Sequence, residues 1–349
     1  MKTGKHSTGL SIVLCFYNAR KLLGTTLEHL EKLELDPDLP FELVCVDNNS
    51  TDGSAEFIRS NYQGRAELVI LQEPRQGISW ARRTGLKACR YAFIATVDDD
   101  NWVDPDWAEK GISFMQAHPD AGGVGSLNRA VSDEPLPFWF DTYQANYAVG
   151  PYKNLSSEVG GLGQIWSAGC FLRKSAVDQA LGLGTDPLTP GRKGGGLLSG
   201  DDTENFMLMQ LCGWKFYASP EIRISHYMPA QRLTWSYFLR FKEGIGRTIV
   251  YMDMYRRLID ELLFGKEPRL YDWQKEKRRA FKRLLNNWPG LLRHYLPGSE
   301  GNHRVVQART AWGGYAERRE KGAKLEEMYK NLRAQVIQQL PSRAKTDRS

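Results

Sequence analysis

The sequence predicts an α/β fold built on a mostly parallel central sheet flanked by helices, and three observations carry that prediction. Apolar runs of strand length, Leu10–Phe16, Phe41–Val46, Leu68–Leu71 and Tyr91–Val97, alternate with segments of helical period. The connections are short, which implies parallel pairing with right-handed crossovers. Two of the runs end in carboxylates, one in DNNSTDGS and the other in Asp98, Asp99 and Asp100. Open parallel sheets hold their ligands beyond the carboxyl ends of their strands, so the same pattern predicts a site.

The first strand leads into a helix over Asn18–Leu35, with Leu22, Leu23, Leu27, Leu30 and Leu33 at helical spacing. A Pro-bearing turn at Asp36–Pro40 precedes the second strand, whose tip carries Asp47, placed to accept hydrogen bonds from a nucleobase or ribose. Thr51 or Asp52 caps the helix Ser54–Tyr62, and Asp52 can also contact a ligand. After the third strand, Gly77 opens a helix whose first-turn N–H groups, with Arg75, Arg82 and Arg83 near, suit a diphosphate.

The stretch ATVDDDNWVDPDW, Ala95–Trp107, is the focus of the pattern. Carboxylates two apart lie on one side of an extended chain, so Asp98 and Asp100 can share a hard cation such as Mg2+ or Mn2+ together with substrate phosphates. The plainer reading is a solvated turn before the helix Asp104–His118, with Asp104 as N-cap and Pro105 in its first position. Ala121–Ser126 and Gln164–Leu172 read as further strands, and Gly169 lets another group approach the second backbone closely. The aromatic segment Pro135–Pro151 has no clean period and either lines an acceptor groove or covers the sheet.

Arg173 and Lys174 open a helix to Leu181, and Leu183–Gly200 carries six glycines, including Gly194, Gly195 and Gly196, as a loop that can close over a ligand. The second acidic cluster follows, with Asp201 and Asp202 opening a helix that also contains Glu204. Helix capping accounts for one of these acids but not for three. Lys215–Ala218 and Glu221–Ser225 read as short strands with His226 at the end, a position where histidine is more often structural than a ligand.

From Lys266 to Ser349 there are 20 Lys and Arg against 9 Asp and Glu, whereas the preceding residues carry 27 against 32. The helical pattern Leu233–Phe264 packs in the core or docks on a membrane surface, and Lys321–Leu340 forms a final amphipathic helix. No nucleic-acid module is present, so no nucleic-acid partner is expected. No apolar run reaches membrane-spanning length and the first residues lack an apolar signal core, which points to the cytoplasm, with contact at the cytoplasmic face of a membrane as the basic tail's option. Five cysteines without CxxC spacing fit a reducing compartment and no zinc site. The domain expectation is a first domain over 1–230, divided at 104 and 105 into a nucleotide-binding half from residue 8 and a second half, then a basic helical extension over 231–349.

The motifs LSIVLCFYN, VCVDNNSTDGS, GISWARRTGLK, VDDDNWVDPDW, LLSGDDTE and ISHYMPAQRLTW, in this order over about two-thirds of the chain, resemble glycosyltransferase family 2 with its GT-A fold. The resemblance implies a nucleotide-diphosphate sugar donor contacted by Asn18, Asp47, Asn49, Asp52, Arg75, Gly77, Arg82, Asp98 and Asp99. It places the DxD motif on Asp98 and Asp100, binding Mn2+ or Mg2+ with His226, although three consecutive aspartates leave the register open. The ED pair corresponds to Asp201 and Asp202, a departure at its first position, with Asp202 as catalytic base of an inverting transfer. Arg232, Trp166 and Gly169 are expected near the diphosphate or the acceptor, a carbohydrate or lipid-linked glycan of polysaccharide or glycolipid biosynthesis. A nucleotidyltransferase would want a Gly-rich, Lys-containing loop where Phe16, Tyr17, Asn18 and Ala19 stand. A non-catalytic scaffold of the same fold should have lost one of the acidic clusters, and both are intact.

Overall fold

The computed structural model describes residues 6–158, 160–161, 163–189, 191 and 200–340, with Asp201 described by its backbone alone. The chain divides into two compact units: Met1–Asp133 with Tyr143–Ala180 and Cys212–Met228, and Glu134–Thr142 with Leu181–Leu211 and Pro229–Ser349.

The first unit holds one sheet of eight strands: β1 Ser7–Phe16, β2 Phe41–Asp47, β3 Glu67–Gln72, β4 Tyr91–Asp98, β5 Asn101–Val103, β6 Ala121–Val131, β7 Phe171–Arg173 and β8 Lys215–Tyr227. Their order is β3-β2-β1-β4-β7-β6-β8-β5. β1 pairs in parallel with both β2 and β4, so the chain reverses its lateral direction beside β1. That reversal leaves a crevice at the carboxyl ends of β1 and β4. β7 is antiparallel to both neighbours, β6 and β8 are parallel, and β5 closes the edge antiparallel to β8.

In chain order the helices are α1 Arg20–Glu31, α2 Ser54–Asn61, α3 Ile78–Ala88, α4 Trp107–Ala117, α5 Phe140–Tyr143, α6 Lys174–Gly182 and α7 Asp201–Leu211. One face of the sheet buries Leu10, Ile12, Leu14 and Phe16 of β1 in a core shared with Leu23, Leu27 and Leu30 of α1. α3 lies on the opposite face. Gly85 permits that approach, because a Cβ there would stand 2.6 Å from Val13 Cγ1 and 3.1 Å from Val46 Cγ2.

Several boundaries depart from the sequence expectation. Gln164–Leu172 is not one strand: only Phe171–Arg173 pairs, and 164–170 is loop and turn. Gly169 there has φ +72°, and a Cβ would meet Ile224 Cγ2 at 2.7 Å and Ser126 Oγ at 2.8 Å, so glycine is required by packing. Lys215–Tyr227 is one continuous strand that absorbs Pro220 in a register shift between Ser219 and Arg223. α4 begins at Trp107 after Asp106, and Asp104 pairs with Arg129 at 2.7 Å instead of capping. α2 starts after Gly53 at φ +78°, so neither Thr51 nor Asp52 occupies the N-cap.

The second unit is helical, adding α8 Trp235–Leu262, α9 Trp273–Asn286, α10 Trp288–Arg293, α11 His303–Lys321 and α12 Lys324–Gln339 to α7. Of the two roles open to the Leu233–Phe264 pattern, α8 takes core packing: Trp235, Phe238, Phe241, Val250, Met254, Tyr255 and Leu258 are all buried. Among the described residues, no helix is long and apolar enough to cross a membrane.

Candidate active site

The register of the parallel strands assembles the site. Phe16 lies opposite Asp47, and Cys15 lies opposite Asp98. Asp47 and Asp98 therefore flank the end of β1 at strand separations totalling roughly 10 Å. Their partners on β1 are consecutive residues, so the pleat sends the two carboxylates to opposite faces of the sheet. Asp47 accepts from Ser50 N at 2.8 Å and turns the chain after β2. Asp98 meets α3, where the nearly buried Arg82 donates to its Oδ1 at 3.0 Å.

Three loops beyond these strands are sewn together by side-chain amides. Asn18, at φ +50°, accepts from Thr51 N at 2.8 Å through its side chain, while its own N–H donates to Ser50 Oγ at 3.0 Å. Asn49, at φ +67°, donates to Pro74 O at 2.6 Å. Asn48, which sequence reasoning passed over, donates to Glu73 O at 3.0 Å and Arg75 O at 2.8 Å and accepts from Gly77 N at 2.8 Å. The Asn48-Asn49 pair after a strand was the available signal, since amides readily bond neighbouring backbone. Burial pushes the Asp52 carboxyl up, but the Ser54 hydroxyl and the N–H groups of Arg20 and Ser54 outweigh it and hold it below the usual carboxylate range.

Arg75 is engaged within the site. Its guanidinium donates to Glu73 at 2.8 and 3.0 Å and lies 3.9 Å over the Trp80 ring. Arg75, opposed by burial and helped by Thr84, brings the Glu73 carboxyl down to about 2. Glu73 is a second residue that the sequence analysis missed, and its carboxylate fixes the entry to α3.

The three aspartates do not continue as a strand. Asp99 and Asp100 form a turn between β4 and β5, which overturns the extended geometry expected for Asp98 and Asp100. The turn is held by Asn101 Oδ1 accepting from Asp98 N at 3.0 Å and by Asp99 O accepting from Thr26 Oγ1 at 2.7 Å. Pairing of Asn101 with His226 across β5 and β8 brings residues 125 apart in number into register beside the turn. His226 Nε2 stands 3.3 Å from Asp100 Oδ1, and Asp100 is buried. His226 Nδ1 is buried with no hydrogen-bond partner among the described residues.

Asp100 and His226 set a carboxylate beside an imidazole, donor types that suit Mn2+ or Mg2+, whereas Asp98 is engaged by Arg82. Among the described residues, no three His, Cys, Asp or Glu gather tightly enough to enclose an ion by themselves. Trp166, in the same unit, is stacked on Tyr152 at 4.2 Å between centroids.

In the second unit Asp202 is the second residue of α7 and accepts from Thr203 N at 2.8 Å. Arg232 belongs to the 3-10 turn Ala230–Leu233. Glu204 is buried, accepting from Leu188 N at 2.7 Å and Tyr255 Oη at 2.5 Å. Burial pushes its carboxyl up to about 7 against those hydrogen bonds. Gly194, Gly195 and Gly196 of the expected closing loop lie outside the described residues.

Residues 11–181 match the family model described as glycosyl transferase family 2. This part of the chain belongs to that family. Glycosyltransferase GlyA of Streptococcus pneumoniae is 29% identical over 150 residues, covering 42% of this chain and 20% of that protein. Amylovoran biosynthesis glycosyltransferase AmsE of Erwinia amylovora is 30% identical over 113 residues, covering 32% of this chain and 41% of that protein. The matches span only 12% to 41% of the lengths of the first curated relatives. In three dimensions the chain resembles the mannosyltransferase PcManGT from Pyrobaculum calidifontis, solved with GDP-Man and Mn2+, with a TM-score of 0.55 at 16% identity over 99% of this chain and 89% of that one. The family 2 domain thus has the GT-A type of α/β fold, and β2 to β4, with β1 from Ser11 onward, lie within the matched residues.

Proposed function

We propose that the chain transfers a sugar from a nucleoside-diphosphate sugar to an acceptor hydroxyl with inversion at the anomeric carbon. The observation that carries this reading is the placement of Asn18, Asp47 and the Arg82–Asp98 pair along one edge, at the carboxyl ends of β1, β2 and β4. An open α/β sheet holds a nucleotide at such an edge. Asp47 accepts from the base or ribose, while Asn18, Asn49, Asp52, Arg75 and Gly77 fix the loops around it. Arg82 and Asp99 complete the donor contacts. PcManGT, of similar fold, was solved with both a nucleotide sugar and Mn2+, which supports this class of donor and cofactor.

Asp98, Asp100 and His226 would be the residues that hold Mn2+ or Mg2+, and a bound ion would supply positive charge to offset that on the departing diphosphate. Asp202, with Asp201 before it, acts as general base. The acceptor oxygen forms a bond to the anomeric carbon as its proton passes to Asp202, and the bond to the diphosphate oxygen breaks with its electron pair staying on the diphosphate. One displacement inverts the centre. Arg232, Trp166 and Gly169 are assigned to the diphosphate or acceptor side, and the acceptor is a carbohydrate or lipid-linked glycan of polysaccharide or glycolipid synthesis. AmsE, named for amylovoran biosynthesis, supports that setting.

The test is release of nucleoside diphosphate from a panel of nucleotide sugars with Mn2+ or Mg2+, comparing wild type with Asp100→Asn and Asp202→Asn. Turnover of one donor should be abolished by Asp100→Asn and reduced about a hundredfold by Asp202→Asn, the lower end of what a general base contributes. A folded protein that neither releases diphosphate nor binds any donor with metal would be a scaffold of the same fold.

A further inference from the structure

The second unit leaves one apolar stripe uncovered. Phe281, Leu285, Trp288, Leu292, Tyr295 and Leu296 are between 45% and 80% exposed, and they supply six of the eleven exposed large hydrophobics among the described residues. Their spacing of four, three, four and three or four residues is that of one helical side, running from α9 through α10 into the turn after it, which carries Tyr295 and Leu296. The packed side of the same segment is separate, formed by Ala280, Leu284 and Gly290. Gly290 fits so closely that a Cβ there would stand 2.2 Å from Arg304 O. A surface helix needs one apolar face to hold its place, and this segment has two.

Charge identifies what covers the second face. Between Trp273 and Gly298 there are seven Lys and Arg and a single acid, Glu276. Glu276 is engaged by Arg257 at 2.9 Å and Arg279 at 2.8 Å. Arg278, Lys282, Arg283 and Arg293 are exposed, and none enters an ion pair among the described residues. A second copy of the chain would bring the same cations against them. An anionic lipid surface instead accepts the apolar stripe into its acyl boundary, with Trp288 and Tyr295 at headgroup depth and the basic side chains reaching to phosphate.

We propose that α9 and α10 dock this protein on anionic membrane surfaces through the stripe Phe281 to Leu296. The role that the sequence offered to the Leu233–Phe264 helix thereby falls to the segment after it. Vesicle binding requires no donor turnover, so this inference stands or fails separately from the transferase reading.

The experiment is sedimentation of the full chain with phosphatidylcholine vesicles, with and without phosphatidylglycerol. Wild type should bind only the mixed vesicles, and less as salt rises. Leu285→Ser/Trp288→Ser/Leu292→Ser should weaken partitioning at least about tenfold, because several apolar side chains leave the interface. Lys282→Glu/Arg283→Glu, which changes only exposed residues, should do the same without altering thermal melting. Absence of wild-type binding, or full binding by both variants, would overturn the proposal. So would a wild-type dimer that the triple substitution converts to monomer without any vesicle binding, since a second copy would then cover the stripe.

Discussion

Asn48 shows how much of the candidate site depends on one neutral side chain. It is buried, and its amide satisfies two carbonyls after β3 and the N–H of Gly77 at the entry to α3. Asn48→Ala strands three polar groups, so it should lower stability by on the order of 3 kcal/mol. It should also weaken nucleoside-diphosphate binding about tenfold or more through loss of loop order. Urea titration with a calorimetric binding measurement checks both, and an unchanged urea midpoint would remove Asn48 from this role. Asp47 and Asp98 stood out in the sequence because each ends an apolar run, whereas Glu73, just beyond β3, follows a shorter run and draws less notice. Asn48 did not stand out, because a buried amide gains its meaning from carbonyls 25 and 27 residues away. The turn at Asp99 and Asp100 was the plainer of the two readings of the residue string, and what decides it, the hold of Thr26 and Asn101, is a tertiary contact.

The elements β1 to β4 and α1 to α3 were readable because their apolar periods are long and clean. β5 and β7, three residues each, are too short to carry a period and exist because β8 and β4 supply partners. β8 was split by its Pro220, yet a register shift against β6 keeps one strand. Helix packing in the second unit was equally hidden. α8 and α11 touch backbone to backbone, where a Cβ on Gly246 would lie 2.1 Å from Thr310 O and one on Gly313 would lie 2.0 Å from Glu243 O. Neither oxygen can rotate away, since both belong to helical backbone. Gly313→Ala should therefore force the helices apart and cost on the order of 3 kcal/mol, outweighing alanine's better helix propensity. A thermal melt that matches wild type would show that the two helices are not held this closely.

Glu204 connects a single ionisation to the stability of the whole molecule. Its carboxyl is surrounded by Leu188 N, the Thr189 hydroxyl and the Tyr255 hydroxyl, and no cation is among these partners. Burial holds it at about 7 in the folded chain, whereas an unfolded glutamate titrates near its ordinary value of about 4.3. The folded state therefore binds the proton more tightly than the unfolded state, and the sign follows directly. Below about 4.3 both states are protonated and Glu204 imposes no penalty. As pH rises from there through about 7, the unfolded chain ionises first and native stability falls, after which the loss is constant at on the order of 3 kcal/mol. Glutamine keeps an acceptor for Leu188 N and Tyr255 Oη but cannot ionise, so Glu204→Gln should melt progressively higher than wild type between pH 5 and about pH 7.5. The difference should then level off. Parallel melting curves across that range would mean that Glu204 is no harder to ionise in the fold than in the open chain. In the predicted case, a native state that weakens toward neutral pH would be the cost of using a buried acid to tie α7, α8 and the segment at Leu188 together.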